Sequence, residues 1–418
     1  MRVNAGFLRL LRLDGIWVRR VQFNADRVVV WVALRRRRLR CPLCAYSTPH
    51  RHNRQHIESV WRHLDLGVWR LELRAQLRRL ECPEHGVRVE GVPFARHASG
   101  FTRDFETLVA WLATRTDKTT IKRLVRIDWD TVGRIIARVC SDELDPDRLH
   151  NLFEIGVDEV SWRRQHRYLT LVADHIRGQI VWGTEGNGQA AADRFFKDLG
   201  QSRSHAIEVI SLDMGPGYAK SAHEHAPQAI IAIDPYHVVA LGNRALDEVR
   251  RTYWNELRQA GDKTAARRFK DARWSLLKAP KNLNEKQAVT LRRLKAAGGE
   301  VWRAYELKEA VRGIFQPGLS IEDVEVLIDR LLSRLARSRL DPFIRLGQTI
   351  RKHRDGILAA IRLGINQGRT EALNNKVRLI TRRAYGFHSA KAALALVLLT
   401  CGPITLHLPH ELRALRIV

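Results

Sequence analysis

The chain has 418 residues with a formal net charge of +27, and hydrophobic types make up 45% of it. That excludes a disordered basic tail and, at about 100–200 residues per domain, allows about two to four cored domains. The arginine-rich excess favours a phosphate polyanion as partner, and five scattered cysteines exclude a secreted disulfide framework.

The first residues are apolar but interrupted by Arg2, Arg9 and Arg12, so no signal peptide is expected and the protein is read as soluble and cytoplasmic. Residues 17–21 and 28–32 alternate apolar and polar around Asn24-Ala25-Asp26, the pattern of a β-hairpin. The basic run Arg35, Arg36, Arg37 and Arg38 follows and is expected to meet DNA. Then comes Cys41-x-x-Cys44 and, after a strand-like stretch at 69–74, Cys82-x-x-His85. Each pair fits one tight knuckle stiffened by Pro42 or Pro83, and four such ligands complete a tetrahedral structural zinc site. His50, His52 and His56 are rivals for the fourth position. Residues 1–100 are therefore expected to form a small β-rich, zinc-binding, DNA-binding domain.

Residues 101–150 change to a helical period. A helix over 118–126, with Ile121, Leu124 and Val125 inward, breaks before a second over 130–140, with Asp128 or Asp130 as its cap. This predicts a helix-turn-helix, with Arg134 and Arg138 of the second helix facing DNA. Residues 151–240 predict strands at 153–160, 168–174 and 179–183, a helix at 189–199, a strand at 207–213, a helix at 218–225, a strand at 229–234 and a helix from Tyr236. The order βββαβαβα is that of the RNase-H-like fold, a mixed five-stranded sheet covered by helices. Residues 241–350 read as a helical insertion; its Trp254, Trp274 and Trp302 are either base-stacking or core residues. Residues 351–418 are expected to return to that RNase-H-like core with C-terminal helices. The apolar stretch 390–408 contains Lys391, Gly402, Pro403 and His407, so it predicts a buried helix and no membrane span.

Three acids stand out in this basic chain. Asp158 and Asp213 end the first and fourth expected strands, which neighbour each other in an RNase-H-like sheet. Glu371 opens a later helix whose Leu373, Val377, Ile380 and Ala384 form an apolar stripe, while Asn375, Arg378 and Arg382 lie opposite. The helix can thus pack on the sheet, offer Glu371 to a metal and turn Arg378 and Arg382 to phosphate. Three carboxylates suit two Mg²⁺ (or Mn²⁺) ions and phosphodiester chemistry. The plainer reading makes them a strand-end carboxylate, a turn residue and a first-turn glutamate. Asp234 also ends a strand and competes with Asp213 for the second metal position; with His237 it is expected to orient substrate or the metal ligands, or simply to cap the next helix.

Several blocks occur in a familiar order: Cys41-Pro42-Leu43-Cys44, Gly156-Val157-Asp158-Glu159, Leu212-Asp213-Met214 with Gly217-Tyr218, and Asp234-Pro235-Tyr236-His237. They continue with Asn366-Gln367-Gly368-Arg369-Thr370-Glu371 and Arg383-Ala384-Tyr385-Gly386-Phe387. From end to end the chain resembles the ISL-three-like family of bacterial insertion-sequence DDE transposases. The resemblance implies Asp158, Asp213 and Glu371 as the catalytic triad, and Asp234 and His237 as the family's D-x-x-H element. It implies a DNA transposase that binds terminal inverted repeats, cleaves by a two-metal mechanism and joins the ends to double-stranded target DNA, as a homodimer or higher oligomer. The alternatives are a metal-dependent nuclease or resolvase without strand transfer, and a non-catalytic DNA-binding regulator. The chain departs from its relatives at Ala45, where glycine is frequent, and at His85, where cysteine is common.

Overall fold

The computed structural model describes residues 3–163, 167–364 and 367–414. They divide into two compact units, the first holding 1–144 with 404–418 and the second holding 145–403.

In the first unit a helix, α1 (Val3–Leu11), precedes strands β1 (Ile16–Phe23) and β2 (Arg27–Leu34). Short strands β3 (Leu39–Arg40) and β4 (Ser47–Thr48) lead to β5 (His56–Leu66), β6 (Trp69–Cys82) and β7 (Gly86–Val89). The expected hairpin forms: β1 and β2 pair antiparallel, and the Asn24 amide donates to the Arg27 carbonyl at 2.9 Å. The sheet runs β1-β2-β6-β5, with β7 added on β6 and with β2 and β6 parallel. Alternate residues of its central strands, Val28, Val30 and Val32 with Leu71, Leu73 and Leu77, are buried with Phe7 and Leu11 of α1.

Three helices follow, α2 (Arg103–Ala113), α3 (Lys118–Val125) and α4 (Trp129–Glu143). Asp117 caps α3 by accepting from the Thr119 and Thr120 amides at 2.9 and 3.0 Å. Ile121 and Val125, one turn apart, are buried, but Leu124 is 61% exposed, against expectation. It lies off the i, i+4 stripe that packs the eight-residue helix. Val132, Ile135, Ile136 and Val139 of α4 are buried as expected. Asp128 occupies the N-cap position of α4 without a side-chain cap bond, and Asp130 lies in its first turn.

The second unit opens with β8 (Glu154–Arg163), β9 (Arg167–Asp174) and β10 (Gln179–Glu185). Helices α5 (Gln189–Leu199) and α6 (Gln201–Ser204), strand β11 (Val209–Leu212), helix α7 (Pro216–His225) and strand β12 (Ile230–Ile233) complete the sheet region. The sheet order is β10-β9-β8-β11-β12, antiparallel among the first three strands and parallel from β8 through β12. After it come α8 (Pro235–Gln259), α9 (Lys263–Asp271), α10 (Arg273–Leu277), α11 (Glu285–Ala297), α12 (Gly299–Gly313), α13 (Ile321–Ala336) and α14 (Asp341–Lys352). The unit closes with α15 (Arg354–Arg362), α16 (Gln367–Arg383) and α17 (Ala390–Cys401).

The helical stretch forms as expected, but its boundaries differ. Helix α8 runs unbroken across 240 and α14 across 350, so both expected domain edges fall inside helices. Phe195, Ile210 and Val238 share one core with Tyr305, Ile328 and Phe343, which joins the inserted helices to the sheet region. Residues 404–414 group with the first unit and not with the sheet of the second, and α18 (Pro409–Ala414) packs on α2. The apolar helix α17 packs on α16 and β10. Among the described residues, no helix is long and apolar enough to cross a membrane.

Candidate active site and metal cluster

The parallel pairing of β8, β11 and β12 sets the acids. Ser211 pairs with Gly156, and Leu212 pairs with Ile233. Continuing the first register by two residues brings Asp213 level with Asp158; continuing the second by one brings it level with Asp234. All three line one small cavity, together with Gly156, Ser211, His237 and Leu373. Each carboxylate is anchored at one oxygen by a nearby amide. The Glu159 N–H donates to Asp158 Oδ1 at 2.7 Å, that of Gly215 to Asp213 Oδ1 at 2.8 Å, and that of Tyr236 to Asp234 Oδ1 at 2.9 Å. The turn after β11 needs glycine, because a Cβ at Gly215 would fall 2.7 Å from Asp213 Oδ1. Asp213 thus holds a turn while Gly215 takes the N-cap of α7. Asp234 is itself the cap of α8, and the His237 Nε2 lies 3.7 Å from its Oδ2. The capping and cavity-lining roles of Asp234 coexist.

Glu371 falls within α16, the helix that packs on β8, and Leu373, two residues on, lines the acid cavity. The side chain of Glu371, like Asn366, lies outside the described residues. Leu373, Val377 and Ile380 are buried, whereas Asn375, Arg378 and Arg382 are exposed, as the sequence pattern requires.

Other groups at this site had been given no role. His175, just past the end of β9, is buried with its Nε2 2.8 Å from Ser211 Oγ. Burial lowers its basicity, and Asp174 opposes that. The Tyr218 hydroxyl, 3.0 Å from Thr170 Oγ1, donates to Glu159 Oε2 at 3.4 Å. Burial raises the Tyr218 pKa, and Glu159 and Asp213 add to the rise while Thr170 and Gly188 oppose it. His353, between α14 and α15, is lowered by burial and by Lys352, with Asp213 acting the other way. A histidine directly after an expected strand-end aspartate was the one available signal for His175.

In the first unit Cys41, Cys44, Cys82 and His85 place one ligand atom each within 4.8 Å of all the others. Cys44 Sγ and Cys82 Sγ are 3.6 Å apart, and His85 Nδ1 is 3.8 and 3.6 Å from the Cys41 and Cys82 sulfurs. A tetrahedron with zinc–sulfur distances of about 2.3 Å has edges of about 3.8 Å, so this donor set fits zinc. The other His85 nitrogen, Nε2, is 3.6 Å from Glu84 Oε1, the kind of outer carboxylate that orients a ligand imidazole. His52 pairs instead with Glu81 at 3.4 Å. Against burial, hydrogen bonds from His85 and from the His85 and Glu84 amides pull the Cys82 thiol down to about 6. Among the described residues, the three aspartates do not form so tight a group.

A family model described as transposase matches residues 155–396, and one described as the helix-turn-helix domain of transposase family ISL3 matches 90–140. The transposase for insertion sequence element IS1557 of Mycobacterium tuberculosis is 41% identical over 360 residues, covering 81% of each chain. The transposase for IS1001 of Bordetella parapertussis is 29% identical over 340 residues, covering 79% of this chain and 82% of its own. The chain belongs to the ISL3 family of insertion-sequence transposases. Both structural units of this DNA-acting enzyme carry part of the match.

The transposase uses its arginines in two ways. Arg37, Arg134, Arg378 and Arg382 are exposed. Arg35 is exposed as well, but its guanidinium lies 4.1 Å over the Trp17 ring and donates to the Ile16 carbonyl. Arg38 is tied to Ser47. Two further expected DNA-binding residues are half-buried as well as engaged internally. Arg36 is half-buried and donates to the Gly91 carbonyl. Arg138 pairs with Glu106, which is fully buried and also held by Arg96 and Ser99. A buried carboxylate needs such partners, and nothing in residue spacing revealed it. Of the tryptophans, Trp254 donates to the Ala266 carbonyl and Trp302 stacks on Tyr305, while Trp274 is 55% exposed beside Arg273.

Proposed function

We propose that the second unit is an RNase-H-like nuclease core in which Asp158, Asp213 and Glu371 hold Mg²⁺ or Mn²⁺, and that the chain cleaves and joins the terminal inverted repeats of its element. The observation that carries this is the levelling of Asp158, midway along β8, with Asp213, just past the end of the adjacent parallel strand β11, in a cavity also lined from α16. The sheet order, with the first strand central and the fourth beside it, supports the RNase-H-like reading. Hard carboxylate oxygens suit divalent ions of this class. When bound, such ions would polarise the attacked phosphodiester and lower the pKa of the attacking water or 3′-hydroxyl.

The protein's own groups do the positioning. Backbone amides fix one oxygen of Asp158 and of Asp213, so each carboxylate keeps its aim. Asp234 stands level with Asp213 and, with His237, orients substrate or the metal-binding oxygens. Arg378 and Arg382, on the exposed side of the Glu371 helix, hold phosphates. In the first unit, zinc on Cys41, Cys44, Cys82 and His85 would tie the β3–β4 knuckle to the β6–β7 hairpin. That module and the helix-turn-helix would read the repeats, in a dimer or higher oligomer.

The test uses Asp158→Asn, Asp213→Asn and Glu371→Gln with duplexes carrying the terminal repeats. Each variant is expected to lose metal-dependent cleavage by about a thousandfold or more while still shifting the duplex in a gel. Mg²⁺-dependent cleavage retained in all three would refute the assignment. Pre-cut ends that fail to join target DNA would leave a nuclease without strand transfer.

A further inference from the structure

The end of α16 carries a tyrosine with no structural use. Tyr385 is 93% exposed, the highest among the large exposed hydrophobic side chains of the described residues. Its backbone is left-handed, with φ of 52°, and Gly386 follows at 104°. The helix has ended by then: the Ala384 amide donates to Ile380 at 3.0 Å and the Tyr385 amide to Arg382 at 3.2 Å. The residue that stops a helix in this conformation is ordinarily glycine, which adopts it without strain. Here an aromatic bears both the strain and a ring left in water, and such local costs point to function.

The surroundings define the chemistry. Arg378 and Arg382 are exposed along the helix that leads to Tyr385, and Leu379 beside them is 61% exposed. The opposite side, with Leu373, Val377 and Ile380, is buried and packs on β8 and α17. At about 1.5 Å per residue, Tyr385 lies about 20 Å along the helix from Glu371. That is about six base steps of DNA at about 3.4 Å each. Arginines that track phosphates, followed by an exposed ring, make up the usual platform for an unpaired base. Such a base is extruded or wedged apart near a cut.

We propose that Tyr385 stacks on an unpaired base of the bound DNA, within about six nucleotides of the cleaved bond, while Arg378 and Arg382 hold the backbone of that strand. This rests on the nuclease reading of the acids above. The interaction needs the ring and not the hydroxyl, so phenylalanine and tryptophan should serve.

The experiment uses the full chain and terminal duplexes with 2-aminopurine stepped through the first eight positions of either strand. Binding by the unaltered chain and by Tyr385→Phe is expected to change the fluorescence at one or two adjacent positions. Tyr385→Ala should abolish that change and slow cleavage of the intact duplex by about ten- to hundredfold, the usual scale of one lost base stack. It should cleave nearly normally when the same base is left unpaired by a mismatch. Tyr385→Gly should behave like Tyr385→Ala while melting no lower than the unaltered chain, which excludes misfolding as the cause. Unchanged fluorescence and cleavage in Tyr385→Ala would overturn the proposal. So would a change of oligomeric state without DNA as the sole effect, since the ring would then serve a second copy of the chain. Asp158→Asn, Asp213→Asn and Glu371→Gln should keep the fluorescence change while losing cleavage; if all three still cleave, the assignment of the acids fails and the stacking result stands by itself.

Discussion

Gly156 makes room for an imidazole beside the acids. A Cβ there would fall 2.8 Å from His175 Cε1 and Nε2 and 3.3 Å from Ser211 Oγ. Gly156 and Ser211 each precede an acid by two residues, so the His175–Ser211 pair lies on the acids' own face of the sheet, one step inward. Gly156→Ala is therefore expected to displace His175 and cost about 1–3 kcal/mol, as overpacking does. Urea unfolding should record that loss, and cleavage should fall more than DNA binding. The same histidine gives a pH signature. Burial holds its folded pKa below the unfolded value, so over that interval the unfolded chain binds more protons and stability rises with pH. On the acid side the contribution is lost as pH falls from about 6.5 through the folded pKa. Unfolding measured between pH 5 and 7 should show a decline toward acid that is smaller in His175→Gln.

At the scale of elements, the smallest hairpins have the least to hold them. Strands β3 and β4 have two residues each, and the cluster beneath them contains only Leu39 and Leu80 beside three cysteines. So little buried area does not stabilise a fold, and metal ligation is what such modules use instead. His85→Cys is expected to retain about one zinc per chain by elemental analysis, because thiolate and imidazole complete the same tetrahedron. Cys44→Ser and His85→Ala should lose it and lower the first unfolding transition; metal content unchanged in both would remove zinc from this site. The elements that could be read in advance were those whose side chains repeat a period. The strands around Val157, Leu171, Val181, Ile210 and Ala232 are apolar runs buried in a covered sheet, and all five were legible. Helix α1 was not: Val3–Leu11 is interrupted by Asn4, Gly6 and Arg9, and its buried residues are Gly6, Phe7 and Leu11. Strand β5 hid behind His56, Glu58, Arg62 and His63. Its Trp61 enters the core, but one buried aromatic sets no period. At the candidate site Asp158 and Asp213 were legible because each closes an apolar run, although Asp158 lies midway along β8 and not at its end as expected. His175 and His353 arrive from elsewhere in the chain, and sequence distance conceals that; Tyr218 is near Asp213 in sequence, but its contacts with Thr170 and Glu159 come from the distant strands β8 and β9.

For the whole molecule the decisive quantity is a net charge of +27, which becomes affinity only where the cations reach phosphate. Each phosphate neutralised contributes about 0.9 to the slope of log affinity against log salt for duplex DNA. The structure divides the arginines into those exposed to solvent and those whose charge is already compensated inside the fold. Arg134, Arg378 and Arg382 are exposed, so replacing any one that contacts DNA should weaken terminal-repeat binding and lower the slope by about 0.9. Arg138 belongs to the other class. It shares the fully buried Glu106 with Arg96 and Ser99, so its charge is internally compensated. Arg138→Ala leaves a buried carboxylate short of one donor and is expected to cost about 1–3 kcal/mol of stability. Its salt slope should match that of the unaltered chain under conditions where both are folded. Titrations from low to moderate salt, paired with thermal unfolding, separate the classes. A lowered slope with full stability in Arg138→Ala would return that residue to the DNA-facing set. A lowered melting temperature with an unchanged slope would fix its charge inside the fold, leaving the exposed arginines of α4 and α16 as the ones that meet the polyanion.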